Sequence, residues 1–95
     1  MEFDVAFSAI LDEYTRATGK FGAFHNAHEG YAVLNEEVDE LWDAVKMGKS
    51  DLDKKGRTRE QALQEEAIQV GAMALRFLID VCPTASESSK NCSAK

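Results

Sequence analysis

Carboxylates are crowded into one short stretch of this 95-residue chain. Five of them lie within residues 36–43, and they are Glu36, Glu37, Asp39, Glu40 and Asp43. Apolar residues recur through the same stretch at helical spacing, from Leu34 to Val45. On a helical wheel with Leu34 at zero, Glu37 falls about 60° and Glu40 about 120° to one side of the apolar stripe. Two of the five carboxylates therefore border the apolar stripe of the predicted helix, and the other three point mostly to its solvent-facing side.

A later stretch repeats this layout. With Leu63 at zero, Glu66 falls about 60° and Gln69 about 120° to the same-handed side of a second apolar stripe. If the two helices pack antiparallel, both polar pairs face a common point. Carboxylates gathered near a core need a counter-charge, because repulsion and burial otherwise favour their protonation. A hard divalent cation, Mg²⁺ or Mn²⁺, accepts such oxygen ligands. The pattern predicts a metal site where Glu37, Glu40, Glu66 and Gln69 converge, with Glu37 and Glu40 placed to hold the ion. Its alternative is an acidic face that is merely solvated.

Three α-helices are predicted to position these side chains, and no β-strand is predicted. The first helix lies within residues 3–21, and Gly19 is its predicted stop. A connector follows, in which Asn26 is a candidate cap. The second helix is expected to run from about Glu29 to Met47. Its apolar stripe, expected to face the core, consists of Tyr31, Leu34, Val38, Leu41 and Val45.

The third helix is expected to begin after Thr58, which has Gln61 at the spacing of a capping box, and to end at Pro83. Before it lies a polar segment, residues 48–58, that is longer than most links between helices and is therefore expected to be functional or mobile. The fold class predicted is all-α, with a single domain over residues 1–83. Residues 84–95 are small and polar, which predicts a disordered tail.

The residue composition and net charge of the chain argue against some classes of function. The chain is 44% hydrophobic and 29% charged, which is typical of a globular domain. Its net charge of -6 argues against binding nucleic acid or an anionic membrane through a basic face. The acidic start predicts no signal peptide, and no apolar run reaches the roughly 18 residues of a membrane span. Cys82 and Cys92 lack zinc-site spacing and are expected to be reduced thiols in a cytoplasmic protein, with a local disulfide as the alternative.

The two acidic motifs resemble those of the MazG-like nucleotide pyrophosphohydrolases, also called all-α NTP pyrophosphatases. That family carries E-E-x-x-E on one helix and E-x-x-D on a later one. The first motif is complete here as Glu36, Glu37 and Glu40, and the second is present as "EAIQ", from Glu66 to Gln69. The resemblance covers roughly residues 24–80, and its specificity comes from the combination of the two motifs.

This resemblance implies a helical protomer that forms a homodimer or homotetramer around a shared four-helix bundle. It also implies Mg²⁺-dependent hydrolysis of a nucleoside triphosphate, often a non-canonical or deoxy form, to the monophosphate and pyrophosphate. The metal ligands that the resemblance implies are Glu37, Glu40, Glu66 and Gln69. Gln69 stands where the family usually has Asp, so the site would carry one negative charge fewer. Altered specificity, a single-metal site and a non-catalytic binding module all remain open. A possibility from a different class is a purely structural interaction protein whose acids are solvated.

Further residues have predicted roles in such a site. Glu36 or Glu40 would position or deprotonate the attacking water. Cations beyond the acidic pairs could clamp the phosphates, although each alone is typical of a solubilising charge. Trp42 is a candidate for stacking on a nucleobase, and its alternative role is packing at a helix edge. The predicted substrate contacts are Lys46, Lys54, Arg57 and Trp42.

Overall fold

The computed structural model describes residues 1–84 and contains three α-helices. They are α1, Phe3–Lys20; α2, Ala27–Lys46; and α3, Arg59–Val81. This part of the chain has no strand, only an isolated backbone bridge between Leu52 and Thr58. The all-α prediction is confirmed. The predicted disordered tail lies, apart from Thr84, outside the described residues.

Local hydrogen bonds explain where two of the helices begin. The side chain of Asn26 accepts a hydrogen bond from the backbone N–H of Glu29 at 2.9 Å. Thr58 Oγ1 accepts from the N–H of Gln61 at 3.2 Å, and Gln61 Oε1 accepts from the N–H of Thr58 at 2.9 Å. Each cap satisfies backbone donors that have no partner within the helix. Both predicted caps are confirmed, whereas the predicted stop at Gly19 was wrong because α1 continues through it.

Helix α3 packs against both other helices, and within residues 1–84 α1 and α2 do not pack on each other. Gly30, near the start of α2, lies against Phe77 near the end of α3. At the opposite end, a guanidinium N–H of Arg59 donates to the carbonyl oxygen of Val45 at 3.1 Å. Helices α2 and α3 are therefore antiparallel. This is the orientation that brings their polar edges together.

A small apolar core lies where the three helices and the first connector meet. Its buried members are Ala17, Phe24, Ala72 and Met73. Partly buried residues surround it, and they are Tyr14, Val33, Leu34, Phe77 and Val81. Because each helix contributes few buried side chains, the core of one protomer is modest, as expected for a short chain.

Two glycines permit close helix packing. A β-carbon at Gly30 would lie 2.7 Å from Cδ2 of Phe77, and one at Gly71 would lie 2.8 Å from Cδ1 of Ile10. Such distances are shorter than any ordinary contact, so a side chain at either position would require the neighbouring side chains to move. The close approach at Gly71 lies between α3 and α1.

The buried face of α2 differs from the predicted stripe. Tyr31 is 63% exposed, and Val38 and Val45 are also exposed, so the prediction that Tyr31 belongs to the core is wrong for the single protomer. Burial centres instead on Gly30 and Ala44. Compared with the orientation predicted from the apolar stripe, α2 is rotated so that its acidic edge faces α3. This rotation places carboxylates against α3.

Large apolar side chains remain exposed on the protomer. On α1, Phe3 is 83% and Phe7 57% exposed, and their rings stack with centroids 6.0 Å apart. On α2 the exposed set also includes Trp42, and on α3 Leu78 and Ile79. The protomer has three helices, and the predicted four-helix bundle is not seen in it. Among residues 1–84, no helix has the length and apolar character needed to cross a bilayer.

Candidate functional site

Three carboxylates from two helices meet at the contact between α2 and α3. Glu37 and Glu40 lie on α2, Glu66 lies on α3, and each offers an oxygen within 4.8 Å of the others. The i, i+3 spacing places the first two on one edge of their helix, and antiparallel packing places the third opposite them. Burial is graded, since Glu66 is only 4% exposed whereas Glu37 is half-buried and Glu40 is exposed. We call these three residues the acidic cluster.

The acidic cluster is electrostatically unfavourable when all its members are ionised. Burial, followed by the negative charges of Glu40 and Glu66, raises the pKa of Glu37 to about 7. Burial, together with the charge and a hydrogen bond of Glu66, also raises the pKa of Glu40. Near neutral pH, Glu37 therefore exchanges readily between its protonated and ionised forms. A bound cation would favour the ionised form.

Arg57 provides part of the counter-charge. Its Nη2 donates to Glu66 Oε2 at 2.8 Å, its Nη1 to Glu65 Oε1 at 3.0 Å, and its Nε to Asp53 Oδ2 at 2.7 Å. The hydrogen bond to Glu66 is the main reason that the pKa of Arg57 is raised above its usual range. Arg57 was predicted to contact substrate, and in the structure it holds the buried carboxylate of the acidic cluster.

The segment before α3 is folded tightly around Asp53. Its Oδ1 accepts the backbone N–H groups of Lys55 at 2.9 Å and Arg57 at 2.8 Å. The N–H of Asp53 in turn donates to the carbonyl of Arg57 at 3.0 Å. Gly56 closes this turn with φ of +77°, a conformation that favours glycine. The segment thus presents Arg57 to the acidic cluster from an ordered turn.

A cavity of about 610 Å³ joins the acidic cluster to the first connector. Its acidic end includes the three cluster carboxylates and the predicted residues Glu36 and Gln69. Cationic residues on the same wall are Lys55 and Arg57. Toward the connector the wall becomes aromatic and aliphatic, with Phe21, Phe24, Val33 and Met73. One cavity therefore combines oxygen ligands, cations and an apolar surface.

Other predicted residues lie off this cavity in the protomer. Lys46 pairs with Asp43 at 3.4 Å, and its Nζ lies 5.6 Å from the ring centroid of Trp42. Trp42 is 57% exposed. Lys54 lines a neighbouring hollow that also includes Glu40 and Glu66. Of the four predicted ligands, the structure brings Glu37, Glu40 and Glu66 together, and Gln69 lines the same cavity. Lys46 and Trp42 lie on the outer surface of α2.

Gln69 faces α1 as well as the cavity. The pKa of Glu13 on α1 is lowered, chiefly by a hydrogen bond from Arg16 and to a lesser extent by one from Gln69. Both Glu13 and Arg16 line the cavity, and the sequence patterns did not single out either of them. An interaction with α1 gives the amide of Gln69 a role that does not depend on a metal.

Arg76 is a second residue that the sequence patterns missed. It is only 3% exposed, lines the cavity, and lies over the ring of Phe24 with its guanidinium carbon 4.2 Å from the centroid. With Leu63 at zero, position 76 falls about 140° to the side on which Glu66 and Gln69 lie. A wheel extended by one turn would therefore have included it in the same polar edge.

Comparisons with models of protein families, with curated proteins and with solved structures find no match for this chain. The resemblance to MazG-like enzymes consequently stays a prediction. The function is therefore inferred from the geometry and the chemistry of the site.

Proposed function

We propose that this protein is a Mg²⁺-dependent nucleoside triphosphate pyrophosphohydrolase, which converts an NTP or dNTP to the monophosphate and pyrophosphate. A house-cleaning role toward non-canonical nucleotides in the cytoplasm is part of this proposal. The observation that carries it is the meeting of Glu37, Glu40 and Glu66 within 4.8 Å on the wall of a cavity large enough for a nucleotide.

The chemistry of the acidic cluster suits a hard divalent cation. Mg²⁺ binds carboxylate oxygens at about 2.1 Å, so two ligands of one ion lie roughly 3–4 Å apart. The three oxygens are close enough to reach that spacing by small side-chain rotations. The raised pKa of Glu37 supports the same assignment, because Arg57 alone leaves the cluster with uncompensated negative charge. Mn²⁺ would satisfy the same ligands.

When bound, Mg²⁺ would neutralise the phosphate oxygens on which charge develops and orient the triphosphate chain. The residues of this chain would supply the rest. Glu36 lies on the same wall without being a member of the acidic cluster, so its carboxylate is free to orient water and accept its proton. Water oxygen forms the new bond to phosphorus, and the bond to the pyrophosphate leaving group breaks. Lys55 contributes positive charge beside the phosphates.

Self-association belongs to the proposal. The exposed apolar residues of α1 and α2 would be covered if two copies shared a four-helix bundle. Trp42 and Lys46, which lie outside the cavity of one protomer, would then be placed near a partner's site. A homodimer or homotetramer is therefore expected to be the working form.

A non-catalytic nucleotide-binding module is the alternative function. Gln69 supports it, because an amide brings no charge to the site and its hydrogen bond to Glu13 draws it toward α1. A structural protein with solvated acids is less well supported, since Glu66 is almost fully buried. Metal and nucleotide binding without turnover would favour the binding module, and the absence of both would favour the structural protein.

The test is release of pyrophosphate in the presence of Mg²⁺ across a panel of canonical and modified triphosphates. We expect the wild-type protein to be active and Glu37→Gln to lower kcat/KM by at least about a hundredfold, because the ligand loses its charge. Asp39→Asn is the matched control, since Asp39 is an exposed acid on the same helix and should tolerate the change. Equal activity of wild type and Glu37→Gln, or no release with any triphosphate, would contradict the proposal.

A further inference from the structure

Arg76 is a buried cation that forms no salt bridge within residues 1–84. It lies on α3 at the connector end of the cavity and is 3% exposed. Within residues 1–84, no carboxylate oxygen lies within 4 Å of its guanidinium nitrogens. Burying a charge in this way is costly unless hydrogen bonds or an opposite charge compensate it.

The hydrogen bonds of Arg76 account for few of its donors. A guanidinium has five N–H groups. Nη2 donates to the carbonyl oxygen of Gly22 at 2.8 Å, and Nη1 meets only the sulfur of Met73 at 3.5 Å. Sulfur is a weak acceptor. Nε has no partner and is the buried side-chain polar atom left unsatisfied among residues 1–84.

Neighbouring carboxylates are committed elsewhere. Asp80, one turn further along α3, accepts the backbone N–H of Phe24 at 3.0 Å. Glu29 accepts the backbone N–H of His25 at 2.6 Å, and this bond is the largest cause of its lowered pKa. Arg76 adds only the smallest of the effects on Glu29. Within residues 1–84 the donors of Arg76 therefore lack acceptors, which a bound ligand would supply.

The surroundings of Arg76 suit a flat, neutral group better than a phosphate. Phe24 lies beneath the guanidinium, and Phe21, Val33 and Met73 line the same part of the cavity. Aromatic and aliphatic walls bind planar rings, whereas phosphates would be held at the acidic cluster by a divalent cation and Lys55. A single molecule with phosphates at the acidic cluster would thus place its organic end near Arg76.

We propose that Arg76 recognises the acceptor edge of a nucleobase that presents a carbonyl oxygen beside an unprotonated ring nitrogen, as cytosine and guanine do. This inference rests on the proposed function and names the substrate class within it. The guanidinium group of an arginine can donate two parallel hydrogen bonds to two adjacent acceptors. Adenine has no carbonyl oxygen, and in uracil a ring N–H stands between the two carbonyls. Neither of these bases presents two adjacent acceptors to the guanidinium of Arg76.

The test is calorimetry with full-length protein, Mg²⁺ and non-hydrolysable α,β-imido analogues of CTP, GTP, UTP and ATP. We expect the cytosine and guanine analogues to bind at least about tenfold more tightly than the other two. Inorganic tripolyphosphate with Mg²⁺ serves as the ligand that lacks a base. Equal affinity for all four analogues would overturn the inference.

Arg76→Lys keeps the positive charge and removes the planar group that can donate two parallel hydrogen bonds. It should bring the cytosine and guanine analogues down to the affinity of the adenine analogue and leave tripolyphosphate binding unchanged. Arg59→Lys, the same substitution on the same helix but away from the cavity, should keep the wild-type order. An equal loss of tripolyphosphate binding in Arg76→Lys would make Arg76 a phosphate ligand and overturn base recognition. If Arg76→Lys does not fold, the wild-type order of bases decides alone.

Failure of the proposed function gives a different result. Wild-type protein that binds no tripolyphosphate with Mg²⁺ would contradict the triphosphate site. Cytidine and adenosine, titrated without metal, then test Arg76 separately. Cytidine binding at least about tenfold tighter than adenosine would support base recognition, and equal or absent binding would overturn it.

Discussion

The charged groups at the two ends of the cavity are compensated in different ways. At the acidic cluster, three carboxylates share the positive charge of Arg57, which also binds Asp53 and Glu65. At the connector end, Arg76 is buried with a single strong acceptor, the carbonyl of Gly22. Arg57 is thus held by ion pairs, whereas Arg76 forms no salt bridge within residues 1–84. Such a difference suits a ligand that is itself divided into an anionic and an acceptor-rich part.

The largest expected effect comes from removing the cation at the acidic end. Arg57→Met leaves Glu66 buried without its partner and should lower the free energy of unfolding by about 2–4 kcal/mol. Chemical denaturation followed by circular dichroism measures the loss. Lys54→Met, on the same turn, is the control and should change stability by less than about 0.5 kcal/mol.

The double variant Arg57→Met with Glu66→Gln sharpens this prediction. Removing both charges together should restore much of the stability, because no uncompensated buried charge remains. Stability losses that simply add would show that Arg57 and Glu66 are not energetically coupled.

A smaller effect is expected from disturbing the other end. Gly30→Ala would place a β-carbon 2.7 Å from the Phe77 ring and 3.1 Å from the ring of Phe24, beneath Arg76. We expect a destabilisation of about 1–3 kcal/mol in thermal or chemical unfolding. Gly19→Ala is its matched control, since that site has open space and a helical backbone and should become slightly more stable. Equal behaviour of the two variants would mean that the tight contact at Gly30 does not constrain the helices.

A pH titration tests the charge imbalance of the acidic cluster directly. The pKa of Glu37 in the folded protein, about 7, exceeds its usual value of 4.5, so the folded protein binds more protons than the unfolded chain between these pH values. Stability without metal should therefore fall as pH rises from about 4.5 to 7. Allowing for solvent screening of this half-buried group, the decrease amounts to roughly 1–2 kcal/mol.

Glu37→Gln should remove most of this pH dependence, and Mg²⁺ should reduce it in the wild type by stabilising the ionised form. Free energies of unfolding at several pH values, with and without Mg²⁺, provide the measurement. A wild-type profile that is flat over this window, or unchanged in Glu37→Gln, would place the titrating charge elsewhere.

The smallest expected change is a gain. Gln69→Asp would restore a carboxylate next to the acidic cluster and should raise Mg²⁺ affinity several-fold, as measured by calorimetry. Gln64→Asp, at an exposed position on the same helix, controls for the added charge. Unchanged affinity in Gln69→Asp would mean that position 69 is not a ligand and that its amide serves the contact with Glu13.

Helical periodicity predicted the acidic cluster because that cluster depends on angles within each helix. Caps at Asn26 and Thr58 fix where the helices begin. The meeting of positions 37, 40 and 66 also depends on the rotation of α2 toward its acidic edge, which the apolar stripe did not predict. Spacing alone could not predict contacts with α1. The roles of Glu13 and Arg16 depend on how α1 lies on α3, which is set by packing at Gly71.

The exposure of Tyr31 could not be read from the sequence for a related reason. An apolar stripe indicates that a helix face is buried, but it does not tell whether the covering surface belongs to the same protomer. The ordered turn before α3 was also missed, since its hydrogen bonds to Asp53 join backbone and side chain in a pattern that polar composition does not reveal.

Mn²⁺ binding, followed by electron paramagnetic resonance during titration of the metal, tests the central claim most directly. We predict that the wild-type protein binds Mn²⁺ at the acidic cluster, that excess Mg²⁺ displaces it, and that Glu37→Gln and Glu40→Gln weaken it at least about tenfold while Asp39→Asn leaves it unchanged. Mn²⁺ affinity that is the same in all four proteins, or no binding by the wild type, would contradict the account.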